Sequence, residues 1–444
     1  MRVNTATLAP RKYTHEGARA SFTTPKQDLR RSVMACMLWE NTFYESGEEI
    51  AKRISNLVKL VKAEDVAAIA VEAREKMKLR HVPLLLVVEM AKLKTHRHVV
   101  AATAERVIQR ADELAEILAI YQMGRAGTKK LNKLSHQLQK GVAAAFRKFN
   151  EYQLAKYNQD NDIKLRDVLF TVHPVPESDE QQALWNRLVT GTLATPDTWE
   201  VALSASKGEA KKEEWERLLQ EKKLGALALL RNLRNMDKAG VDEGLIRVSL
   251  ENTNVDRVLP FRFVAAARVA PKWEPELEQM MYKGLAGIPK LPGKTVIVVD
   301  NSGSMHGTPV SSKSDLDRFD AASALAILVR EVCERAVVIS FSDNAVIVPA
   351  RRGFALRDAI KTATSISGTN TQTALMLAGQ QGYDRIIVIT DEQSHQSITG
   401  PKTNLGYFIN VATNKNGIGY GPWTHIDGFS EAILGYIVAS EENS

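Results

Sequence analysis

Along roughly the first 285 residues, apolar side chains return every three or four positions with charges between them, the spacing of amphipathic helix. AEDVAAIAVEAREKMK (63–78), RHVVAATAERVIQRADELAEILAIYQMG (97–124) and TKKLNKLSHQLQKGVAAAFRKFN (128–150) all carry it. The same pattern predicts helices over 177–191, 213–240 and 242–252, and Pro83, Gly124, Gly191, Gly240, Pro260 and Pro271 punctuate the joints. Many short helices without strands predict stacked helix pairs, as in an α-solenoid, rather than a four-helix bundle.

GIPKLPG (287–293) reads as a linker, and after it the pattern changes. TVIVV (295–299), AVVISF (336–341), RIIVIT (385–390) and LGYFINVA (405–412) are continuous apolar, β-branched runs. Helix patterns lie between them at 318–335 and 371–382. Continuous apolar strands alternating with helices predict a parallel sheet covered on both faces, a doubly wound α/β domain. AVIVPA (345–350) is expected to add one antiparallel edge.

Length and composition narrow the class. A chain of 444 residues with a hydrophobic fraction of 44% predicts at least two packed cores. No run approaches the ~18 apolar residues of a membrane helix. The N-terminal MRVNTATLAPRKYTHEGARA lacks the apolar core of a secretory signal. Cys36 and Cys333 lie in separate segments, as buried thiols of a reducing compartment would. A cytoplasmic location follows as the expectation.

Charge divides the chain further. The net +7 is concentrated in residues 51–150, which hold 20 basic and nine acidic residues, whereas residues 291–444 hold 12 basic and 15 acidic ones. The first part therefore suits a polyanion and the second does not.

The second part carries the candidate chemistry. TVIVVD delivers Asp300 to the carboxyl edge of the sheet, and NSGSM adds Ser302 and Ser304. Asp391 leaves RIIVIT at the same edge, and SISGTNTQTAL brings Thr369, with Thr371 as the other threonine. Two carboxylates and three hydroxyls, without sulfur or imidazole, suit Mg²⁺ first and Mn²⁺ second rather than zinc. His96 and His98 lack partners at zinc-like spacing and read as surface residues. Ser394 and His395 stand too close to Asp391 in sequence for a catalytic relay. No GxxxxGK[ST] phosphate loop occurs, so nucleotide hydrolysis is unsupported.

The set Asp300, Ser302, Ser304, Thr369 and Asp391 resembles the metal-ion-dependent adhesion site of von Willebrand factor A-type domains. TTPKQDLRRSVMACMLWENTFYESGEEIAKRI (23–54) and KYNQDNDIKLRDVLFTVHPVP (156–176) resemble the TROVE module of Ro-type proteins, and GPWTHIDGFSEAIL (421–434) resembles the end of their A-type domain. The resemblance implies a TROVE domain over 1–286, a linker over 287–293 and an A-type domain over 294–444. It implies a ring of HEAT-like helical repeats closed by that domain. It also implies binding of Y-like small noncoding RNA and of single-stranded 3′ ends of misfolded RNA, without enzymatic activity. An exoribonuclease partner follows by analogy, and a monomer is expected.

Lys129, Lys130, Lys133, Lys140, Arg147, Lys148 and Lys156 form a dense basic series that suits RNA phosphates. Tyr152 and Tyr157 interleave as candidate stacking residues, whereas Phe146 and Phe149 read as core. By resemblance, Lys156 and His173 match positions that touch Y RNA. A third basic contact of the family falls on Asp160, which puts that part of the contact in doubt. The alternative reading is a metal-dependent protein-binding adaptor that needs no RNA.

Overall fold

The computed structural model describes residues 13, 24–34, 46–77, 79–123, 134–205, 209–255, 258, 260–307, 316–412, 421–427, 433–434, 437 and 441. The chain divides into two compact units, Ala51–Lys223 and Met1–Ile50 together with Leu224–Ser444.

Ala51–Lys223 is helical. The long apolar pattern of 97–124 is two helices, Arg97–Val107 and Asp112–Gln122. A buried ion pair explains the break. The carboxylate of Glu113 accepts the backbone N–H groups of Gln109 (2.8 Å) and Arg110 (3.0 Å) in the turn between the helices, donors that would otherwise be left open. Arg74 reaches the same carboxylate at 2.7 Å, and its Nε donates to the carbonyl of Val107 at 2.9 Å, where the first helix ends. One arginine–glutamate pair thus satisfies the end of one helix and the turn that leads into the next.

Ser135 caps the helix His136–Phe146 by accepting from the N–H of Leu138. That helix meets Arg97–Val107 at backbone contact. A Cβ at Gly141 would stand 2.6 Å from the carbonyl oxygen of Ala101 and 2.7 Å from Cβ of Ala104, so only glycine permits the approach. Phe146 and Phe149 are buried, and the Phe146 ring meets Trp185 edge to face at 5.6 Å, so both phenylalanines belong to the core. His96 is also buried, with Nε2 3.0 Å from the carbonyl of Val61. The surface expectation holds for His98, exposed and paired with Glu64, but fails for His96, whose ring closes a backbone acceptor inside the helical layer.

The second unit holds a six-stranded sheet in the order β3-β2-β1-β4-β5-β6. Its strands are β1 (Leu291–Asp300), β2 (Cys333–Phe341), β3 (Ala345–Ile347), β4 (Arg385–Thr390), β5 (Gly406–Asn410) and β6 (Thr424–Asp427). All neighbouring pairs are parallel except β2 and β3, which supply the expected antiparallel edge. Leu291 already pairs with Cys333, so the last residues of GIPKLPG belong to a strand. The helix Arg318–Val332 stops before Cys333, which opens β2. β6 has no expected counterpart, because THID is too short and too polar to stand out as an apolar run.

Helices also join this sheet. Pro260–Val269 and Glu274–Leu285 lie against Arg318–Val332. Glu278 accepts the N–H of Phe354 at 2.9 Å, and Arg357 donates to Glu274 at 3.0 Å. The N-terminal helix Pro25–Met34 buries Leu29 and Val33 and lies against β6. Burying such side chains stabilises by about 1.5–3 kcal/mol each. Cys333 is buried, and burial pushes its thiol up; Cys36 lies outside the described residues. Among the described residues no helix is long and apolar enough to cross a membrane.

Candidate metal centre and basic cleft

The candidate metal centre lies where adjacent parallel strands end. β1 and β4 pair through Val299 and Ile389, so Asp300 and Asp391 leave the same edge of the sheet. Asp300 Oδ1 accepts the N–H of Ser302 at 2.8 Å, and its Oδ2 accepts from Thr390 Oγ1 at 2.5 Å. Ser302 Oγ lies 3.3 Å from Ser304 Oγ. Backbone hydrogen bonds interlock the three loops. The N–H of Gly303 donates to the carbonyl of Ser367 at 2.7 Å, and that of His395 to the carbonyl of Thr369 at 3.0 Å. The side chains of His395 and Asp343 close over Gly368, in the space that a Cβ there would take.

Asp300, Ser302, Thr369 and Asp391 are buried, and Ser304 is half-buried. Burial, reinforced by the Asp391 carboxylate, pushes the Asp300 carboxyl up to about 7. A buried carboxylate of this kind gains from a cation, and the donors are hard oxygens, so the set fits Mg²⁺ or Mn²⁺. Among the described residues no cluster of three or more His, Cys, Asp or Glu side chains is placed to hold a metal, which leaves the hydroxyls to complete any coordination. The hydroxyl of Thr371 is buried and has no partner among the described residues, so this threonine too is available as a donor.

Two arginines enter this centre that no motif indicated. Arg318 donates to Asp391 Oδ2 at 3.0 Å, and both side chains are almost wholly buried. Arg31, from the helix Pro25–Met34, donates to Glu392 Oε2 at 2.5 Å, while His425 Nε2 of β6 lies 2.6 Å from the other carboxylate oxygen. Glu392 itself adopts a left-handed backbone, with φ +63°, which costs a non-glycine residue about 1–3 kcal/mol. The surrounding ion pairs hold it there. A sequence signal existed only for Glu392, as an acid beside a candidate ligand; Arg31 lies 361 positions away.

In the helical unit, Lys140, Arg147 and His173 line one cleft of about 390 Å³ together with His136, Gln139 and Val175. Positions 136, 139, 140 and 147 recur at helical spacing, so His136 and Gln139 were legible as one face with Lys140. His173 ends the helix Leu165–Val172 in a left-handed conformation (φ +46°), donating its N–H to the carbonyl of Leu169 and leaving its ring exposed. Arg147 also pairs with Glu177 at 3.3 Å.

Lys148 is placed differently. Its ammonium turns onto the carbonyls of Glu105 and Ile108, where burial lowers its pKa, and so it closes the end of Arg97–Val107. Lys156 lies 5.8 Å from the ring of Tyr157, over which Arg110 stacks at 4.6 Å. Tyr152 is half exposed. Asp160 pairs with Lys164, which holds its carboxyl below the usual range and places a cation beside the acid. Lys129, Lys130 and Lys133 lie outside the described residues.

The TROVE domain family matches residues 22–191 and 180–283, and the von Willebrand factor type A domain family matches residues 295–393. The chain therefore belongs to the TROVE family and carries an A-type domain after its helices. Among solved structures it is similar to the Ro (RSR) protein of Deinococcus radiodurans, with 17% identity and a TM-score of 0.61 over 94% of this chain and 99% of that one. At that identity the likeness is one of fold. No curated protein matches the chain by sequence.

Proposed function

We propose that this chain is an RNA-binding protein of the Ro type that takes part in RNA quality control without catalysing a reaction. The observation that carries this reading is the cleft where Lys140 and Arg147 meet His173 and His136, in a protein of the TROVE family. Two cations and two imidazoles around a groove suit phosphates, and the half-exposed Tyr152 offers a stacking surface nearby in sequence. Small structured Y-like RNA and single-stranded 3′ ends are the ligands proposed. Lys164 compensates the acid at Asp160, which favours a rearranged Y RNA contact over its loss.

Asp300, Ser302, Ser304, Thr369 and Asp391 would hold a divalent cation, Mg²⁺ before Mn²⁺. Bound there, the cation supplies a coordination point for an oxygen from a partner, and an exoribonuclease is a partner by analogy. The protein is proposed to act as a cytoplasmic monomer.

A gel-shift salt series with a structured RNA bearing a single-stranded 3′ tail tests the RNA reading. Lys140→Ala/Arg147→Ala should weaken binding and reduce the salt slope by roughly two charges' worth, about 1.4–1.8. Binding that is weak and unchanged in the variant would sink this reading and favour Mg²⁺-dependent protein capture at Asp300. RNA cleavage that EDTA and Asp300→Ala abolish would overturn the non-enzymatic assignment.

A further inference from the structure

The helix Ala226–Lys238 in the second unit has two faces of different chemistry. Ala226, Leu229, Leu230, Leu233 and Met236 are buried. Arg231, Arg234 and Lys238 are exposed, and their spacing of three and then four positions sets them on one stripe. The three cations are spread over about 10 Å of helix axis.

Charge matching separates this stripe from its surroundings. In the same unit Arg247 pairs with Glu276, Lys272 with Asp237 and Glu243, and Arg268 with Asp320. Among the described residues no acid pairs with Arg231, Arg234 or Lys238. Asp237, the acid of this helix, turns instead to Lys272 and to the indole N–H of Trp273. The helix Pro260–Val269 packs beside Ala226–Lys238 and adds Arg262. Partial burial lowers the Arg262 pKa, and the Arg231 guanidinium lowers it further, so like charges are gathered here rather than dispersed. An anion relieves such a gathering, and several exposed cations in a row suit a polyanion whose charges repeat at short intervals.

We infer that Arg231, Arg234 and Lys238, with Arg262 beside them, form a second surface for the phosphodiester backbone of RNA, made of other residues than the cleft of Lys140 and Arg147. The inference rests on the RNA reading of the chain. It extends the footprint to a helix outside residues 51–150, where the excess of positive charge is concentrated. Arginine and lysine on phosphates position an RNA without reading its bases, so this contact is independent of base sequence.

The test is a gel-shift salt series on the full chain, with oligo(U), oligo(A) and the structured RNA bearing a single-stranded 3′ tail as probes. Arg231→Gln/Arg234→Gln/Lys238→Gln should weaken the tailed RNA at least about tenfold and reduce the salt slope by up to three charges' worth, about 2.1–2.7. The loss should be the same for oligo(U) and oligo(A). Arg231→Lys/Arg234→Lys keeps the charge and should keep the slope. Should the triple variant fail to fold, as judged by circular dichroism, Arg231→Gln alone should reduce the slope by about 0.7–0.9.

An unchanged affinity and slope in the triple variant, with binding still weakened by Lys140→Ala/Arg147→Ala, overturns the second surface and leaves the RNA reading standing. If the intact chain binds none of the three RNAs, the RNA reading falls and the inference with it. Polyglutamate that binds the intact chain more tightly than oligo(U) does, and is lost in the triple variant, would assign the stripe to an acidic polypeptide and overturn the RNA assignment of this surface.

Discussion

The metal centre and the basic cleft make opposite use of the chain. At the candidate metal centre, short side chains are buried on loops that backbone hydrogen bonds interlock, and Asp391 and Glu392 each meet an arginine. At the cleft, long side chains reach from exposed helix faces, and their charges are shared with neighbours such as Glu177. Geometry at the first is enforced by the cost of burying an unmatched charge; at the second it is enforced by little more than side-chain reach. A buried site therefore tolerates few substitutions, whereas the cleft is expected to change affinity in graded steps.

Three substitutions would break or sharpen that contrast. The largest effect is expected at Arg31, whose removal leaves Glu392 buried beside Asp391 without its arginine. Arg31→Gln should destabilise the second unit by about 3–5 kcal/mol, the usual cost of breaking a buried pair. Urea unfolding measures it, and a loss under about 1 kcal/mol would remove the distinction drawn between the two regions.

A smaller, graded effect is expected at the exposed Asp160 of the helical unit. Asp160→Arg replaces an exposed acid with a base and should raise RNA affinity about three- to tenfold, with a steeper salt dependence. A gel shift at two salt concentrations is sufficient, and unchanged affinity would place the RNA footprint elsewhere. The smallest effect is expected at Lys148. Its ammonium is held by carbonyls of Glu105 and Ile108, so Lys148→Ala should lower the melting temperature while keeping RNA affinity within about twofold. A large loss of RNA binding from that single change would mean that the ammonium turns outward to meet phosphate.

Legibility followed the same division. Continuous apolar runs announced β1, β2, β4 and β5, because a strand buried on both faces tolerates few polar residues. Asp300, Ser302, Ser304, Thr369 and Asp391 were legible because each sits at a fixed distance from a strand or helix end. The break at 108–111 was not, since the helical spacing runs straight through it and only Arg74, distant in sequence, explains it. β6 was invisible as a strand because its four residues owe their pairing to Tyr407–Asn410 rather than to their own composition.

The sequence by itself thus determined the two kinds of architecture, the oxygen-bearing side chains at the strand ends and the excess of positive charge in the helical part. These are local properties, readable from spacing and composition. Tertiary structure decided which charges meet. It turned Lys148 inward, gathered Lys140, Arg147 and His173 at one cleft, and set Arg31 and Arg318 against the adjacent acids Glu392 and Asp391. Electrostatic energy depends on distance in space and on burial, and neither is written in the order of the residues.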